Sequence, residues 1–290
     1  MATGRPRTTT SASLITDDER AREALVDPAW LADHLDDPDV RVIEIDVSPV
    51  AYNDWHIDGA VLWNIYTDLK DGDFRPVEAA ALERLVARSG IGPGTTVVFY
   101  GYGPAMGVWL LTLHGHRDAR ILNCSRDTWR ADGRPWNTTP AQPAPTDYQL
   151  DHAERHIRAH LADVRSAIRQ PGVKVVDVRS SAEYRGERFW PSGGMQPDGR
   201  AGHVPGAAHQ PLDGLYRSDG SFRRPAELRS LFSDVDLDGD DELITYCTIG
   251  GRAAAAWFVL TRLLGRDRVR VYDGSWAEWG RTADAPVEPS

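Results

Sequence analysis

Short apolar runs alternate with longer amphipathic segments along most of the chain. Runs such as Val40–Ser48 and Glu242–Tyr246 are rich in β-branched and aromatic residues, and their length is that of buried strands. The expected helices between such runs are Ala79–Ser89, Gly107–Leu113, Ala153–Arg169, Pro225–Leu231 and Arg252–Leu264. Strands that alternate with helices predict a mostly parallel sheet with helices on both faces, which is an α/β fold.

The pattern of elements occurs twice. The matched segments, in chain order, are Val40–Ser48 with Val173–Ser180, Trp55–Val61 with Gly202–Ala208, Thr95–Gly103 with Glu242–Gly251, and Ala119–Trp129 with Val269–Trp279. In the first pair, each apolar run ends near an aspartate, Asp46 or Asp177. Four ordered matches predict two copies of one α/β domain, in residues 16–140 and 153–290. Residues 1–15 are expected to form a flexible tail, and the proline-rich residues 141–152 a linker.

Composition narrows the classes of function. The 290 residues are 41% hydrophobic and 26% charged, as in an ordinary globular protein. A formal net charge of −10 argues against a nucleic-acid partner. No apolar run approaches the roughly 18 to 20 residues that span a bilayer, and the first residues are polar, so we expect a cytoplasmic protein with no membrane partner. The two cysteines have no metal-binding spacing, and no metal site is predicted.

One cysteine stands where a strand meets a helix. Cys247 follows the run Glu242–Tyr246, and Gly250 and Gly251 separate it from the helix that begins near Arg252. Glycines allow positive φ, so successive N–H groups can converge on one point, and the start of the helix adds partial positive charge. Both effects favour an anion, so we expect Cys247 to ionise more readily than a free cysteine. The alternative interpretation is a small buried hydrophobic residue at a strand end.

Four segments together resemble one family. They are DVRSSAEYRG (Asp177–Gly186), GHVPGA (Gly202–Ala207), YCTIGGRA (Tyr246–Ala253) and YDGSWAEW (Tyr272–Trp279). In order, they resemble the rhodanese superfamily, and specifically its two-domain thiosulfate sulfurtransferases. The resemblance implies that Cys247 takes the outer sulfur of thiosulfate as a persulfide and passes it to cyanide or a thiol. It also implies that the first domain is inactive and that no cofactor is needed.

The resemblance also assigns roles to other residues. The main-chain N–H groups of the loop would stabilise the thiolate and then the persulfide; its residues are Thr248, Ile249, Gly250, Gly251 and Arg252. Arg252 is expected to fix the loop rather than to contact substrate. Arg185 and Arg200 are candidates for binding the thiosulfate oxygens. Asp177 and Arg179 would hold the strand end and the loops near the cysteine.

Three further residues are expected to be structural. His56 and His203 occupy matching positions in the two repeats, although only the second repeat has the cysteine, so a catalytic role is not expected of either. Cys124 has no glycine loop and is also expected to be structural. Gly101 occupies the place in the first repeat that Cys247 occupies in the second, which predicts that only the second domain is catalytic.

Three other functions compete with this interpretation. A 3-mercaptopyruvate sulfurtransferase shares the fold and the cysteine, but its loop differs at the positions of Ile249 and Arg252. A phosphatase or arsenate reductase on the same scaffold places five residues between cysteine and arginine, whereas this loop places four between Cys247 and Arg252. The third alternative is a binding module without catalysis, which usually lacks the cysteine.

Overall fold

The computed structural model describes residues 15–151, 155–233, 235 and 237–289. The predicted flexible tail therefore lies outside the described residues, except for Ile15. Among the described residues, none of the helices has both the length and the apolar character needed to cross a membrane. These residues form two five-stranded parallel sheets, one in each half of the chain.

The first sheet is built from residues of the first half. Its strands are β1 (Leu25–Val26), β2 (Val40–Asp46), β4 (Val61–Asn64), β5 (Thr96–Gly101) and β6 (Ala119–Leu122). They lie in the order β1-β6-β5-β2-β4, and every neighbouring pair is parallel. Two further strands, β3 (His56–Ile57) and β7 (Trp136–Asn137), pair as an antiparallel ribbon. The helices are α1 (Asp17–Ala24), α2 (Pro28–Asp33), α3 (Val50–Asp54), α4 (Ala79–Arg88), α5 (Pro104–Leu113) and α6 (Arg126–Ala131), with a π-helical turn at Ile65–Leu69.

The second sheet repeats this arrangement. Its strands are β8 (Arg158–Ala159), β9 (Val173–Asp177), β10 (Ala208–His209), β11 (Glu242–Tyr246) and β12 (Val269–Tyr272). The order β10-β9-β11-β12-β8 is that of the first sheet read from the other edge, again with parallel pairs. The helices are α7 (Leu161–Ala167), α8 (Ser181–Tyr184), α9 (Pro225–Leu231), α10 (Gly251–Phe258) and α11 (Ser275–Trp279), and a π-helical turn at Val259–Leu263 follows α10. The predicted fold of two tandem α/β repeats is confirmed.

Alternate residues of the central strands enter different cores. Phe99 of β5 and Leu243 of β11 belong to one hydrophobic cluster that both halves share. Tyr100 and Ile244, the next residues along the same strands, belong to separate clusters, one for each half. Because both faces of each sheet are buried, the strands are apolar almost throughout, as expected for parallel sheets. The shared core includes α5 and α10, which pack against each other between the halves.

The register of the strands corrects one sequence match. In the second sheet Tyr246 lies opposite Asp177, and in the first sheet Tyr100 lies opposite Glu44. Glu44, rather than Asp46, is therefore the structural counterpart of Asp177. The apolar runs of β2 and β9 look alike in both alignments, so the sequence alone left a two-residue offset unresolved.

Most predicted helices agree with the structure, but one was too long. The expected helix Ala153–Arg169 is wrong in its first part, because Arg158–Ala159 pairs with Val271–Tyr272 as strand β8. Helix α7 begins only at Leu161, and Ala153 lies outside the described residues. Residues 140–151, which include most of the predicted linker, form neither helix nor strand.

Candidate active site

Cys247 directly follows β11 at the carboxyl end of the second sheet. Its side chain is buried, with 1% of the residue exposed, and it borders a cavity between the two halves. Helix α10 begins four residues later, at Gly251. Ligands of open parallel sheets bind at this end of the strands, so the position suits a functional group.

The backbone of Gly250 turns the loop towards the sulfur. Its φ is +91°, and a Cβ added there would lie 2.8 Å from the main-chain oxygen of Asp273, so only glycine fits. In this conformation the Gly250 N–H donates a hydrogen bond to Cys247 Sγ at 3.1 Å. Among the described residues it is the only loop N–H that donates to Cys247 Sγ, and the expected convergence of several N–H groups of residues 248–252 on this sulfur is not seen.

Ser275 holds the other side of the cysteine. The Cys247 N–H donates to Ser275 Oγ at 3.1 Å, and the Ser275 hydroxyl donates to the main-chain oxygen of Tyr272 at 2.8 Å. Ser275 has a positive φ of 52°, which is uncommon for a residue other than glycine. The loop after β12 therefore fixes the cysteine backbone, while the loop after β11 contacts its sulfur.

Arg252 is bound to a buried carboxylate. Its Nη1 and Nη2 donate to Glu183 Oε2 and Oε1 at 2.9 and 2.7 Å, and Nη2 also donates to Thr248 Oγ1 at 2.8 Å. The Thr248 hydroxyl in turn donates to Glu183 Oε1 at 2.6 Å. Burial raises the pKa of Glu183, but the hydrogen bonds and charge of Arg252 outweigh it and lower that pKa to about 2. Arg252 thus closes the loop against α8, as the sequence analysis favoured.

Asp177 and Arg179 form an ion pair beneath the strand ends. Both side chains are fully buried, and Arg179 Nη2 donates to Asp177 Oδ2 at 2.6 Å. The Tyr246 hydroxyl donates to the same carboxylate oxygen. The guanidinium carbon of Arg179 lies 4.4 Å from the ring centre of Trp276, in a cation–π contact. The pair therefore supports β9, β11 and α11 together, which is the supporting position expected of it.

The cavity beside Cys247 has a volume of about 350 Å³ and mostly apolar walls. The first half contributes residues such as Ile65, Tyr66 and Met106, and the second half contributes Trp190, Leu215 and Ile249. Among the described lining residues, Asp213 and Arg252 are the charged ones. Because Arg252 is paired with Glu183, this wall carries little free positive charge.

The structure does not bring Arg185 or Arg200 to the cavity. Arg185 is about half exposed and pairs with Glu187 at 2.7 Å. Arg200 donates to main-chain oxygens of the C-terminal turns, at Trp279, Gly280, Thr282 and Ala285. The expectation that either one binds substrate oxygens is corrected by these positions, because each guanidinium group is held by partners outside the cavity.

The histidines and the second cysteine occupy structural positions. His203 stacks on Tyr184 with ring centres 3.7 Å apart, and His56 stacks on Tyr52 at 3.9 Å. In each pair, Nδ1 of the histidine also lies within hydrogen-bonding distance of the tyrosine main-chain oxygen. Cys124 belongs to a core cluster of the first half, and burial raises its pKa to about 12. These three residues therefore lie in places where packing accounts for them.

The equivalent position in the first half is closed. Gly101 is the last residue of β5, whereas Cys247 directly follows the matching strand β11. The φ of Gly101 is +101°. A Cβ on Gly101 would lie 2.5 Å from the main-chain oxygen of Ile45, so a cysteine would fit only if the strand shifted.

Sequence reasoning missed three contacting residues. Glu183 stands in the pattern Ser180-x-x-Glu183, and this capping box is indeed formed at the start of α8. That pattern is a local signal for a helix start, but it carries no information about the bond to Arg252. The contacts of Ser275 with the Cys247 N–H and of Lys70 with the main-chain oxygen of Asp273 had no such signal, because only the folded chain brings these residues together.

Comparisons with known proteins agree with this arrangement. The rhodanese-like domain model matches twice, at residues 27–132 and 160–282. A "Putative thiosulfate sulfurtransferase" of Haloferax volcanii is 37% identical over 94% of this chain and 99% of its own length. The "Sulfur carrier protein TtuD" of Thermus thermophilus is 36% identical over 91% of this chain and 96% of its own.

Solved structures show the same fold at lower identity. The crystal structure of YnjE has a TM-score of 0.80 at 23% identity and covers 92% of this chain and 68% of that chain. Wild-type EanB has a TM-score of 0.80 at 22% identity, with 92% and 69% covered. The duplicated sheets, the cysteine loop and the two domain matches lead to one conclusion: the chain belongs to the rhodanese family and contains two rhodanese-like domains in tandem.

Proposed function

We propose that this protein is a thiosulfate sulfurtransferase that carries sulfur on Cys247. The observation that supports the proposal most is the position of the Cys247 sulfur, at the cavity wall and 3.1 Å from the Gly250 N–H. A main-chain donor at this distance stabilises negative sulfur without a change in structure during the reaction. Relatives that are named for thiosulfate sulfur transfer or sulfur carriage support the same chemistry.

The proposed reaction has two displacements. The Cys247 thiolate attacks the outer sulfur of thiosulfate; the sulfur–sulfur bond of thiosulfate breaks, and sulfite leaves with the electron pair. The sulfur now on Cys247 is a persulfide anion. A thiolate acceptor then attacks that outer sulfur, and Cys247 leaves as a thiolate with the electron pair of the broken bond. The charge on the enzyme sulfur is the same before and after each half-reaction.

The cavity favours an organic thiol as acceptor over cyanide. Its apolar wall, which includes Tyr66, Met106 and Trp190, offers contact area for carbon groups, whereas cyanide would use almost none of it. The thiosulfate sulfonate would lie towards Arg252, whose side chain is 32% exposed although its charge is paired. This assigns Arg252 a secondary electrostatic role beside its role in the loop.

The first domain would have no catalytic cysteine of its own. The closed position at Gly101 supports this, and Tyr66 and Met106 suggest that the domain instead supplies part of the cavity. The proposal therefore includes an inactive domain in residues 16–140 and a catalytic domain in residues 153–290, which are the boundaries predicted from the sequence. Both would work in the cytoplasm, where thiols stay reduced.

Intact-mass measurement tests the proposal. The protein is incubated with thiosulfate or with 3-mercaptopyruvate, alongside Cys247→Ser and the matched control Cys124→Ser. We expect thiosulfate to add one sulfur atom to the wild type and to Cys124→Ser but none to Cys247→Ser. Loading from 3-mercaptopyruvate alone would replace the proposed donor, and a sulfur-free wild type with both donors would contradict the function.

A further inference from the structure

A buried lysine from the first domain lies against the cysteine loop. Lys70 follows the π-helical turn at Ile65–Leu69, and 5% of the residue is exposed. Its Nζ donates to the main-chain oxygen of Asp273 at 3.3 Å, and a Cβ on Gly250 would lie 3.2 Å from the same nitrogen. Gly250 is also the residue whose N–H donates to Cys247 Sγ. The ammonium therefore borders the same loop residue whose N–H bonds the sulfur.

The charge of Lys70 is not neutralised by its hydrogen bond. The carboxylate of Asp273 is bound by Arg158, with Nε to Oδ1 at 2.7 Å and Nη2 to Oδ2 at 3.3 Å. Lys70 instead contacts the uncharged carbonyl of Asp273, and among the described residues no carboxylate forms an ion pair with it. The neighbouring Asp71 is exposed to solvent. A buried ammonium is costly unless negative charge lies nearby, and Cys247 can provide it.

The ionisation of Lys70 responds to these neighbours. Burial lowers the pKa of Lys70, whereas the negative charges of Asp273 and Cys247 raise it and the positive charge of Arg158 lowers it. The coupling is mutual, because a charge that favours the ammonium is itself favoured by the ammonium.

The use of lysine here is unusual for this chain. Lys70 and Lys174 are its two lysines, and the other basic residues are arginines. Lys174 is 45% exposed and pairs with Asp241 at 3.0 Å, as a surface charge would. The cysteine loop itself has Thr248 and Ile249 after the nucleophile and no lysine. The compact charge near Gly250 therefore comes from the first domain and not from the cysteine loop.

We propose that Lys70 is the positive charge, supplied by the first domain, that stabilises the negative sulfur of Cys247. It is a positioning residue that acts through the loop and through its field, without touching the substrate. Its role during sulfur uptake rests on the proposed function, and its role towards the thiolate does not. The negative charge lies on Cys247 Sγ in the thiolate and on the outer sulfur in the persulfide. Because the total charge is the same, one ammonium group can stabilise both states.

Three variants separate charge from hydrogen bonding. Lys70→Gln keeps a donor for the Asp273 carbonyl but removes the charge, Lys70→Arg keeps the charge, and Lys174→Gln is the surface control. The alkylation rate of Cys247 by iodoacetamide is measured from roughly pH 5 to pH 9, with peptide mapping to exclude Cys124. For Lys70→Gln we expect the midpoint of the rate profile to rise by about one pH unit, so that the rate falls about 10-fold at pH values well below both midpoints.

The controls decide what the change means. Lys174→Gln should match the wild type, and Lys70→Arg should retain the wild-type midpoint even if its rate falls. A wild-type profile for Lys70→Gln, or an equal shift in Lys70→Gln and Lys70→Arg, would overturn the proposal. If thiosulfate loads none of the proteins, the proposed function fails while the alkylation profiles still decide the role of Lys70.

A second measurement uses the wild-type fold. With two lysines in the chain, the ¹³Cε resonances of Lys70 and Lys174 can be followed separately while the pH is raised. Alkylation of Cys247 removes its negative charge, and we expect the titration midpoint of Lys70 to fall while that of Lys174 stays constant. Unchanged titration of Lys70 would refute the coupling, whether or not the Lys70 variants fold.

Discussion

The Glu183–Arg252 pair offers a sharp test of how the cysteine loop is held. The Glu183 side chain is fully buried and accepts five hydrogen bonds, two from Arg252, two from Ser180 and one from Thr248. Glu183→Gln preserves the size of the side chain but removes its charge. The variant therefore leaves the Arg252 guanidinium beside the cavity without its carboxylate.

The magnitude follows from the pKa of Glu183. That pKa falls from 4.5 to about 2 on folding, because the bonds from Arg252 and its neighbours outweigh the effect of burial. At roughly 1.4 kcal/mol for each pKa unit, the ionised form stabilises the fold by about 3 kcal/mol. Since the folded pKa is the lower one, this stabilisation is fully present above pH 4.5 and is lost as the pH falls from there towards 2.

Urea unfolding, measured at several pH values and followed by tryptophan fluorescence, checks this expectation. At neutral pH, Glu183→Gln should lower the free energy of unfolding of the second domain by about 3 kcal/mol, and the gap to the wild type should narrow as the pH falls below 4.5. Glu187→Gln is the matched control, because Glu187 pairs with Arg185 in the solvent and should change little. A constant gap between wild type and Glu183→Gln down to acidic pH would refute the reasoning.

Three other substitutions have defined outcomes. Gly250→Ala should slow sulfur loading of Cys247 about 10-fold, because the left-handed backbone costs about 1–2 kcal/mol and the new Cβ would press on a main-chain oxygen; intact mass over time measures the rate. Tyr246→Phe should lower the free energy of unfolding by about 1–3 kcal/mol, because Asp177 and a buried N–H lose their partner; urea titration checks this, and wild-type stability would contradict it. Arg185→Ala should load sulfur at the wild-type rate, because Arg185 pairs with Glu187 at the surface. A large fall in the loading rate would show that Arg185 takes part in substrate binding.

The sequence predicted those features that depend on local pattern and order. Apolar runs, glycine positions and the duplicated order of segments led to two α/β domains and to Cys247 at a strand end. The role of Arg252 in the loop was also foreseen, because it ends the loop five positions after Cys247, where neighbouring carboxylates or carbonyls can bind it. These predictions succeed because each element is encoded by residues that are close together in the chain, and the repeat was found by comparing such local patterns.

The predictions that failed depend on the orientation of a side chain or on contacts between residues that are far apart in the chain. Arg185 and Arg200 were assigned to substrate because they lie in the right segment, but segment membership does not fix which way a side chain points. The pattern Ser180-x-x-Glu183 is a local signal for a helix cap, but the bond from Arg252 to Glu183 joins residues 69 positions apart. Lys70 and Asp273 are separated by 203 positions and meet only through domain packing, which no local pattern encodes.

The closed position at Gly101 has a consequence for how this duplicated protein can diverge. A half that has no room for its own nucleophile would be free to drift if it served only as a scaffold. The first half, however, also contributes the buried Lys70 and part of the cavity wall, at Tyr66 and Met106, to the surroundings of Cys247 in the second half. Substitutions at Lys70, Tyr66 or Met106 therefore also change the surroundings of Cys247, so the two copies cannot vary independently at these positions.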